Sequence, residues 1–169
     1  MAIEVREAKP EERAEAGWVT AEAYREFARP GDEDWERYLA RIADVDGRAD
    51  RTTVLVALEN ARVLGSLTLE LEGRVRADDD EEHQALAPGE AHIRMLGVDP
   101  DARGRGVARA MMATAERLAQ DAGKSVITLN TTRRMTSARA MYERLGYEQT
   151  EDTVFPDGFV LLGYEKRLR

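Results

Sequence analysis

Residues 91–122, AHIRMLGVDPDARGRGVARAMMATAERLAQDA, join a strand, a charged glycine turn and a long helix, and no other stretch restricts the folding of this chain as tightly. The strand, Ala91–Val98, is rich in branched apolar residues. It stops at Asp99-Pro100, because proline has no N–H for a ladder and restricts the residue before it. A helix starts near Gly106: Val107, Met111, Ala115, Leu118 and Ala122 recur at helical spacing, and Gly123 supplies a C-terminal cap. Between them lies Arg103-Gly104-Arg105-Gly106-Val107-Ala108. Its glycines let a ligand approach the backbone, the helix N-terminus presents unpaired N–H groups and partial positive charge, and two guanidiniums add fixed charge. Such a turn suits a phosphorylated ligand.

Spacing separates the patterns that share this chemistry. A dinucleotide fingerprint needs G-x-G-x-x-G, and Arg109 stands where the third glycine or alanine belongs. A Walker A loop fails as well. Gly123-Lys124-Ser125 has Leu118 at the position of the first glycine, and it follows a helix and precedes a strand, the reverse of the required order. What fits is R-x-x-G-x-A. Strand, Val98-x-Pro100, Arg-Gly-x-Gly-x-Ala and helix together resemble the signature of the GNAT superfamily, the acetyl-CoA-dependent N-acetyltransferases.

Composition narrows the chemistry from the other side. With 169 residues, 43% hydrophobic and 34% charged, the chain reads as one globular domain, residues 1–169, able to bury about two-thirds of its unfolded surface. The start, MAIEVREAKP, lacks the apolar core of a signal peptide, and no apolar run reaches the length of a membrane span, so a cytoplasmic location is expected. There is no cysteine, which excludes disulfides, thiolate metal ligands and a cysteine nucleophile. Two histidines, His83 and His92, are too few for a structural zinc site, so no metal is expected. A net charge of −8 argues against nucleic acid and is compatible with attraction of a cationic amine.

Along the chain, Ile3–Arg6 alternates as a half-exposed strand, Pro10 opens a helix to about Phe27, and Glu33–Ala43 forms a second helix after Arg29-Pro30-Gly31-Asp32. Trp18, Tyr24, Phe27, Trp35 and Tyr38 gather in this early third, where they either pack the helices onto a sheet or line an acceptor pocket. Thr52–Leu58 and Arg62–Glu72 read as a hairpin whose second strand sets Leu67, Leu69 and Leu71 on one face and Thr68, Glu70 and Glu72 on the other. Arg74–Gly89, with Asp78–Glu82 acidic throughout, reads as an exposed loop with the charge to hold a polycation. Ser125–Asn130 is a strand parallel to Ala91–Val98, Arg133–Leu145 is a helix, and Tyr147–Val154 and Phe159–Arg167 are closing strands. This β-α-α-β-β-β-α-β-α-β-β order is also that of the GNAT fold. The resemblance implies an α/β mixed sheet of six to seven strands, splayed between its fourth and fifth, with about four helices.

The resemblance also assigns roles. It implies that backbone N–H groups of Arg105 to Ala108 hold the CoA pyrophosphate, with Arg103, Gly104, Gly106 and Val107 completing the cradle. It implies further that the backbone at Leu96 and Val98 pairs with the pantetheine arm. Gly97 between them would permit the bulge from which the splay develops. A nearby N–H would face the thioester carbonyl as oxyanion donor. Met141-Tyr142-Glu143-Arg144-Leu145-Gly146-Tyr147 resembles the family's L-Y-E-x-x-G-F segment, which makes Tyr142 the acid for the departing thiolate. A tyrosine near ~10 can protonate the anion of a thiol near ~8.5. Where some members carry a glutamate base on the fourth strand, this chain has His92, with Glu90 two residues earlier on the same face to orient or replace it. Met135 stands where many members have a cofactor-contacting asparagine, which leaves one cofactor contact unaccounted for.

The expected activity is transfer of an acetyl group from acetyl-CoA to a primary amine of a small molecule or peptide by direct attack in a ternary complex. The alternative is an acyl-CoA-binding sensor or interaction module of the same fold without turnover. The resemblance is compatible with a homodimer.

Overall fold

The computed structural model describes residues 2–28, 31–72, 74–76 and 83–169. Strand β1 (Glu4–Glu7) leads through a short 3-10 turn at Pro10–Glu12 into α1 (Arg13–Arg25), and α2 (Glu33–Ala43) follows. A hairpin of β2 (Thr53–Glu59) and β3 (Arg62–Glu70) precedes a small separate hairpin of β4 (Arg74–Arg76) and β5 (His83–Ala85). Next come β6 (Glu90–Val98), α3 (Val107–Asp121), β7 (Val126–Thr131), α4 (Thr136–Arg144), the two-residue strands β8 (Glu148–Gln149) and β9 (Thr153–Val154), and β10 (Val160–Arg167).

Eight strands form one mixed sheet, in the order β1-β2-β3-β6-β7-β10-β8, with β9 also on β10. All its pairings are antiparallel except β6 with β7, the pair joined through α3. The fourth strand of this sheet in chain order is therefore β6 and the fifth is β7. Three expectations are corrected. The segment read as a loop from Arg74 to Gly89 contains the β4–β5 hairpin; its acidic run, residues 78–82, lies outside the described residues. The strand expected over Tyr147–Val154 is split into β8 and β9, with Thr150 N–H bonded to Gly163 O between them. Helix α4 begins at Thr136 instead of Arg133, because residues 132–135 close a turn through Met135 N–H and Thr132 O.

Both faces of the sheet are covered, which is why β2 reads as a nearly unbroken apolar run. Leu55 and Ala57 pack with Met111, Met112 and Ala115 of α3 and Tyr142 of α4, whereas Val54, Val56 and Leu58 pack with Ala16 and Val19 of α1. Small residues let α1 lie close. A Cβ on Gly97 would sit 3.0 Å from Thr20 Cα and 3.2 Å from Ala23 Cβ, and one on Gly17 would overlap the Ala43 carbonyl oxygen of α2.

The sheet parts at β6. Its register with β7 runs only from Glu90↔Val126 to Ile93↔Leu129, while β6 continues to Val98 and β7 to Thr131. On its other edge β6 carries a bulge: Ser66 faces Gly97 and Thr68 faces Arg94, so β6 spends an extra residue there. The residue that absorbs it is Met95, in the left-handed region at φ 53°, and not Gly97. Met95 packs with Ala21, Leu39 and Ile42 beneath α1 and α2, and the opening of the sheet is held by that apolar anchor. Gly97 serves the neighbouring need, close approach of α1.

The end of α2 is held in an unusual way. Arg48, 7% exposed, points its guanidinium at the carbonyls of Arg41 (3.0 Å), Ile42 (2.9 Å) and Asp44 (3.1 Å) and donates to Thr68 Oγ1 of β3 (3.0 Å). A cation there satisfies the orphan carbonyls and complements the negative end of the helix.

Replacing Gly17 by alanine should separate α1 from α2 at a cost of about 1–3 kcal/mol, or roughly 2–4 °C in Tm per kcal/mol for a chain of this length. Thermal unfolding by circular dichroism measures it; an unchanged Tm would show that the two helices pack with slack at this crossing.

Candidate active site

The glycine turn opens α3 without a side-chain cap. Gly106 is the N-cap at φ 81°, it supplies no capping oxygen, and the first turn contains no acid. By contrast Asp32 caps α2 by accepting from Asp34 N–H (3.1 Å) and Trp35 N–H (3.2 Å), so the orphan donors there are satisfied within the chain. Gly104 is also left-handed, at φ 77°, and nothing lies within 4 Å of where a Cβ on either glycine would be. The turn thus faces open space with its N–H groups available. Val107, buried in the core, pins the helix start, so what it offers a ligand is its backbone.

Both cradle guanidiniums are already paired. Arg103 reaches Glu26 at 2.7 and 3.2 Å, tying the turn to the end of α1, and Arg105 bonds Glu59 at the end of β2. That hydrogen bond raises the Arg105 pKa and lowers that of Glu59. These are exposed pairs of small energetic weight, and they position the turn. The positive potential left for an anion comes mainly from the helix N-terminus. Asp99, accepting from Asp101 N–H at 2.9 Å and paired with Arg62 at 2.7 Å, fixes the exit from β6 toward the turn.

Between turn and sheet runs the fork. From Arg94 to Val98 the β7-facing edge of β6 has no ladder partner among the described residues. Tyr142 comes to this region from α4. It is 5% exposed, with the Tyr147 and Tyr164 rings each 6.0 Å away. Burial, with Tyr24 of α1 acting in the same direction, pushes its phenol well above the ordinary range, so it keeps its proton at neutral pH. Its two neighbours are tied to carboxylates: Tyr147 donates to Glu116 (3.1 Å) and Tyr164 to Glu143 (3.3 Å). No such partner holds the Tyr142 hydroxyl among the described residues. Met135, in place of the expected asparagine, accepts a 3.4 Å contact from Thr131 Oγ1 and N-caps α4 without a side-chain bond.

At the vertex of the fork three side chains form a line. Thr128 of β7, directly opposite His92 in the parallel register, donates to Glu90 Oε2 at 2.6 Å and lies 2.7 Å from His92 Nδ1. Since the threonine proton goes to the carboxylate, Nδ1 must be the donor to Thr128 Oγ1, which leaves Nε2 with its lone pair. The other Glu90 oxygen accepts from Ala87 N–H at 2.9 Å, so each oxygen of this carboxylate holds a neighbour. His92 is 6% exposed; burial and the nearby Arg94 charge, only partly opposed by Glu90, lower its pKa to about 4. The ring is neutral at physiological pH. The family resemblance pointed to His92, with Glu90 on the same strand face, whereas Thr128 becomes visible only when the two strands are paired.

A cleft of about 120 Å³ lies on the same face of the sheet, between the end of α2 with its following loop, β3 and β6. Glu70 projects into it, 5% exposed, with Oε1 3.5 Å from Arg94 Nη1 and Oε2 without a hydrogen-bond partner among the described residues. Burial raises the Glu70 pKa, against the opposing pull of Arg94. Arg48 is brought down to about 10 by burial and by Arg94. Of the early aromatics, Tyr24, Tyr38 and Trp35 form one cluster, with ring centroids 6.2 Å and 5.5 Å apart in the two pairs, packed on the apolar group around Met95. Trp18, 61% exposed, is outside it.

Residues 16–147 match the family model described as Acetyltransferase (GNAT) family. Mycothiol acetyltransferase of Cellulomonas flavigena is 32% identical over 148 residues, 76% of this chain and 41% of that protein. Human N-acetyltransferase 8B is 37% identical over 60 residues, 36% of this chain and 26% of that protein, so the chain spans less than half the length of either curated relative. In fold it is similar to the PaiA N-acetyltransferase of Thermoplasma acidophilum solved in complex with coenzyme A, with a TM-score of 0.74 and 17% identity over 99% of each chain. The forked sheet, the uncapped glycine turn and the family match over most of its length agree: this chain belongs to the GNAT acetyltransferase family.

Proposed function

We propose that the chain transfers an acetyl group from acetyl-CoA to a primary amine. The observation that carries this reading is the β6 edge, without a ladder partner among the described residues, leading directly into the uncapped N-terminus of α3. One offers a β-strand ladder to an extended amide-containing arm, the other a nest of N–H groups to a pyrophosphate. Solved neighbours described with coenzyme A or acetyl-CoA support the donor.

The backbone of Leu96 and Val98 would hold the pantetheine arm, and Arg105 to Ala108 the pyrophosphate, with an N–H beside the Met95 bulge facing the thioester carbonyl. As the amine attacks, a C–N bond forms, the C–S bond breaks, the amine gives up a proton and the thiolate takes one. Tyr142 would give that proton: it carries no carboxylate partner among the described residues, and the burial that keeps its phenol protonated also makes it a weaker acid than an exposed tyrosine, so it gives up its proton only as negative charge builds on the sulfur beside it. His92 Nε2 accepts the amine's proton, directly or through water, with Glu90 and Thr128 holding its tautomer. With a pKa near 4 the ring is a weak base, so acceptor molecules that arrive already deprotonated react fastest.

Gly106→Asp should abolish CoA binding in calorimetry, because a carboxylate would occupy the nest and repel the phosphates. Near-normal affinity would move the donor site elsewhere. Tyr142→Phe should lower kcat by about 10²-fold with acetyl-CoA affinity little changed; an equal kcat would leave Tyr142 as core packing. A protein that binds CoA but releases no thiol with any amine would instead be the sensor module.

The state of His92 can be read without turnover. Between its unfolded value of about 6.5 and its native value of about 4, the unfolded chain binds the extra proton. The ring's contribution is complete above about pH 6.5 and is lost as pH falls to 4, a change of roughly 3 kcal/mol. Urea unfolding from pH 7 to 4 should show this slope, and His92→Gln should flatten it by that amount; equal slopes would show that the ring is solvated.

A further inference from the structure

A histidine that accepts a proton on one ring nitrogen becomes a cation unless the other nitrogen passes a proton on. For His92 the ring is a poor place to keep that charge. It is 6% exposed, and burial and the Arg94 guanidinium on the same face of β6 both disfavour a positive ring, against the pull of Glu90. Two carboxylates stand near it, Glu70 directly across in the β3 register and Glu90 on its own strand. Glu90 is the one that reaches the ring, through Thr128. Nδ1 lies 2.7 Å from Thr128 Oγ1, which lies 2.6 Å from Glu90 Oε2; the remaining contact of Oγ1, Ala91 O at 3.4 Å, is longer and weaker. Exposure rises along this line, from a buried ring to a threonine and a carboxylate that are partly open. Its direction is fixed at the far end. Ala87 N–H can only donate, so Glu90 Oε1 accepts from it and Oε2 is left to accept from Thr128.

We propose that Glu90, Thr128 and His92 form a proton relay: as Nε2 takes the proton of the attacking amine, Nδ1 passes its own to Thr128 Oγ1, and Thr128 passes its hydroxyl proton to Glu90 Oε2. The proposal rests on the acetyl-transfer reading. The C–N bond forms, the C–S bond breaks and Tyr142 protonates the thiolate, while each proton of the line moves one place. The ring stays neutral throughout, and the carboxylate at the open end loses its negative charge instead. A Ser-His-Asp triad keeps the proton on its ring. A ring buried beside Arg94 holds it poorly, which is the reason for passing it on. When the product leaves, the line runs back and Nε2 gives the amine's proton to water. Thr128 and Glu90 act through His92 and are positioning residues for its proton.

One test needs no turnover. Nitrogen NMR of His92 in the free protein should place the proton on Nδ1, and Glu90→Gln should move it to Nε2. The glutamine oxygen stays with Ala87 N–H, its amide NH2 then faces Thr128, and the threonine proton turns to Nδ1 at 2.7 Å in preference to Ala91 O at 3.4 Å. A wild-type proton on Nε2, or an unmoved one in Glu90→Gln, overturns the line whatever the chain catalyses. The second test follows single-turnover thiol release from acetyl-CoA in mixtures of H2O and D2O, with whichever of putrescine, L-lysine and benzylamine reacts fastest. Protons moving together make the rate curve with deuterium content, whereas a single transfer gives a straight line. The wild-type chain should curve. Thr128→Val, of the same shape without the hydroxyl, should be straight and at least about tenfold slower, and Thr128→Ser should recover most of the lost rate. A straight wild-type plot, or an undiminished rate in Thr128→Val, overturns the relay. The expected tautomers without thiol release from any amine keep the direction of the line and overturn acetyl transfer.

Discussion

Everything in the candidate site depends on β6 leaving β7 after Ile93. A parallel pair satisfies its backbone groups only while the strands stay a few ångströms apart, so parting them exposes a row of donors and acceptors. The chain accepts that exposure because β6 remains paired to β3 on its other edge and is wedged outward by the Met95 bulge, which is anchored under α1 and α2. The same parting creates a vertex where His92 and Thr128 are still in register and an opening where Leu96 and Val98 have no ladder partner on that side among the described residues. In the proposed reaction, proton handling and donor binding would be two ends of one geometric event.

Charge is arranged around this opening by omission as much as by placement. Helix α2 begins with an aspartate cap and three acids, whereas α3 begins with neither, so only the second keeps its N-terminal field for a ligand. The cradle arginines are spent on Glu26 and Glu59, which makes them struts for the turn. Each Glu90 oxygen already accepts one bond, from Ala87 N–H and from Thr128, and through Thr128 it fixes the tautomer of His92.

Much of this was legible in the residues. The cradle and the tyrosine segment depend on local spacing, and glycines at left-handed positions announce themselves because few other residues tolerate that backbone. The helices and main strands follow from periodicity, with ends displaced by a few residues where a turn competes, as at Thr132–Met135. What escaped is what requires two distant segments to meet. Thr128 looks like any strand threonine until β7 is set beside β6. A methionine at φ 53° carries no sequence signal at all, and the neighbouring Gly97 drew the bulge to itself. Alternation placed Glu70 with Thr68 and Glu72 on one face of β3, but it does not report whether a helix covers that face, so the burial of Glu70 was not legible.

Arg48 shows how such coverings move. Its one guanidinium closes the last turn of α2, holds the loop to β2 and grips Thr68 in the sheet. Arg48 joins the end of α2 and the loop to Thr68 in the sheet, so α2, the loop and the wall of the cleft should open together when this side chain lets go. Amide protons in all three should exchange with solvent at one shared rate, faster than those of the central strands. Access to the cleft would then be timed by the local unfolding of a helix end, and the protein's breathing would set the pace at which anything bound there enters and leaves.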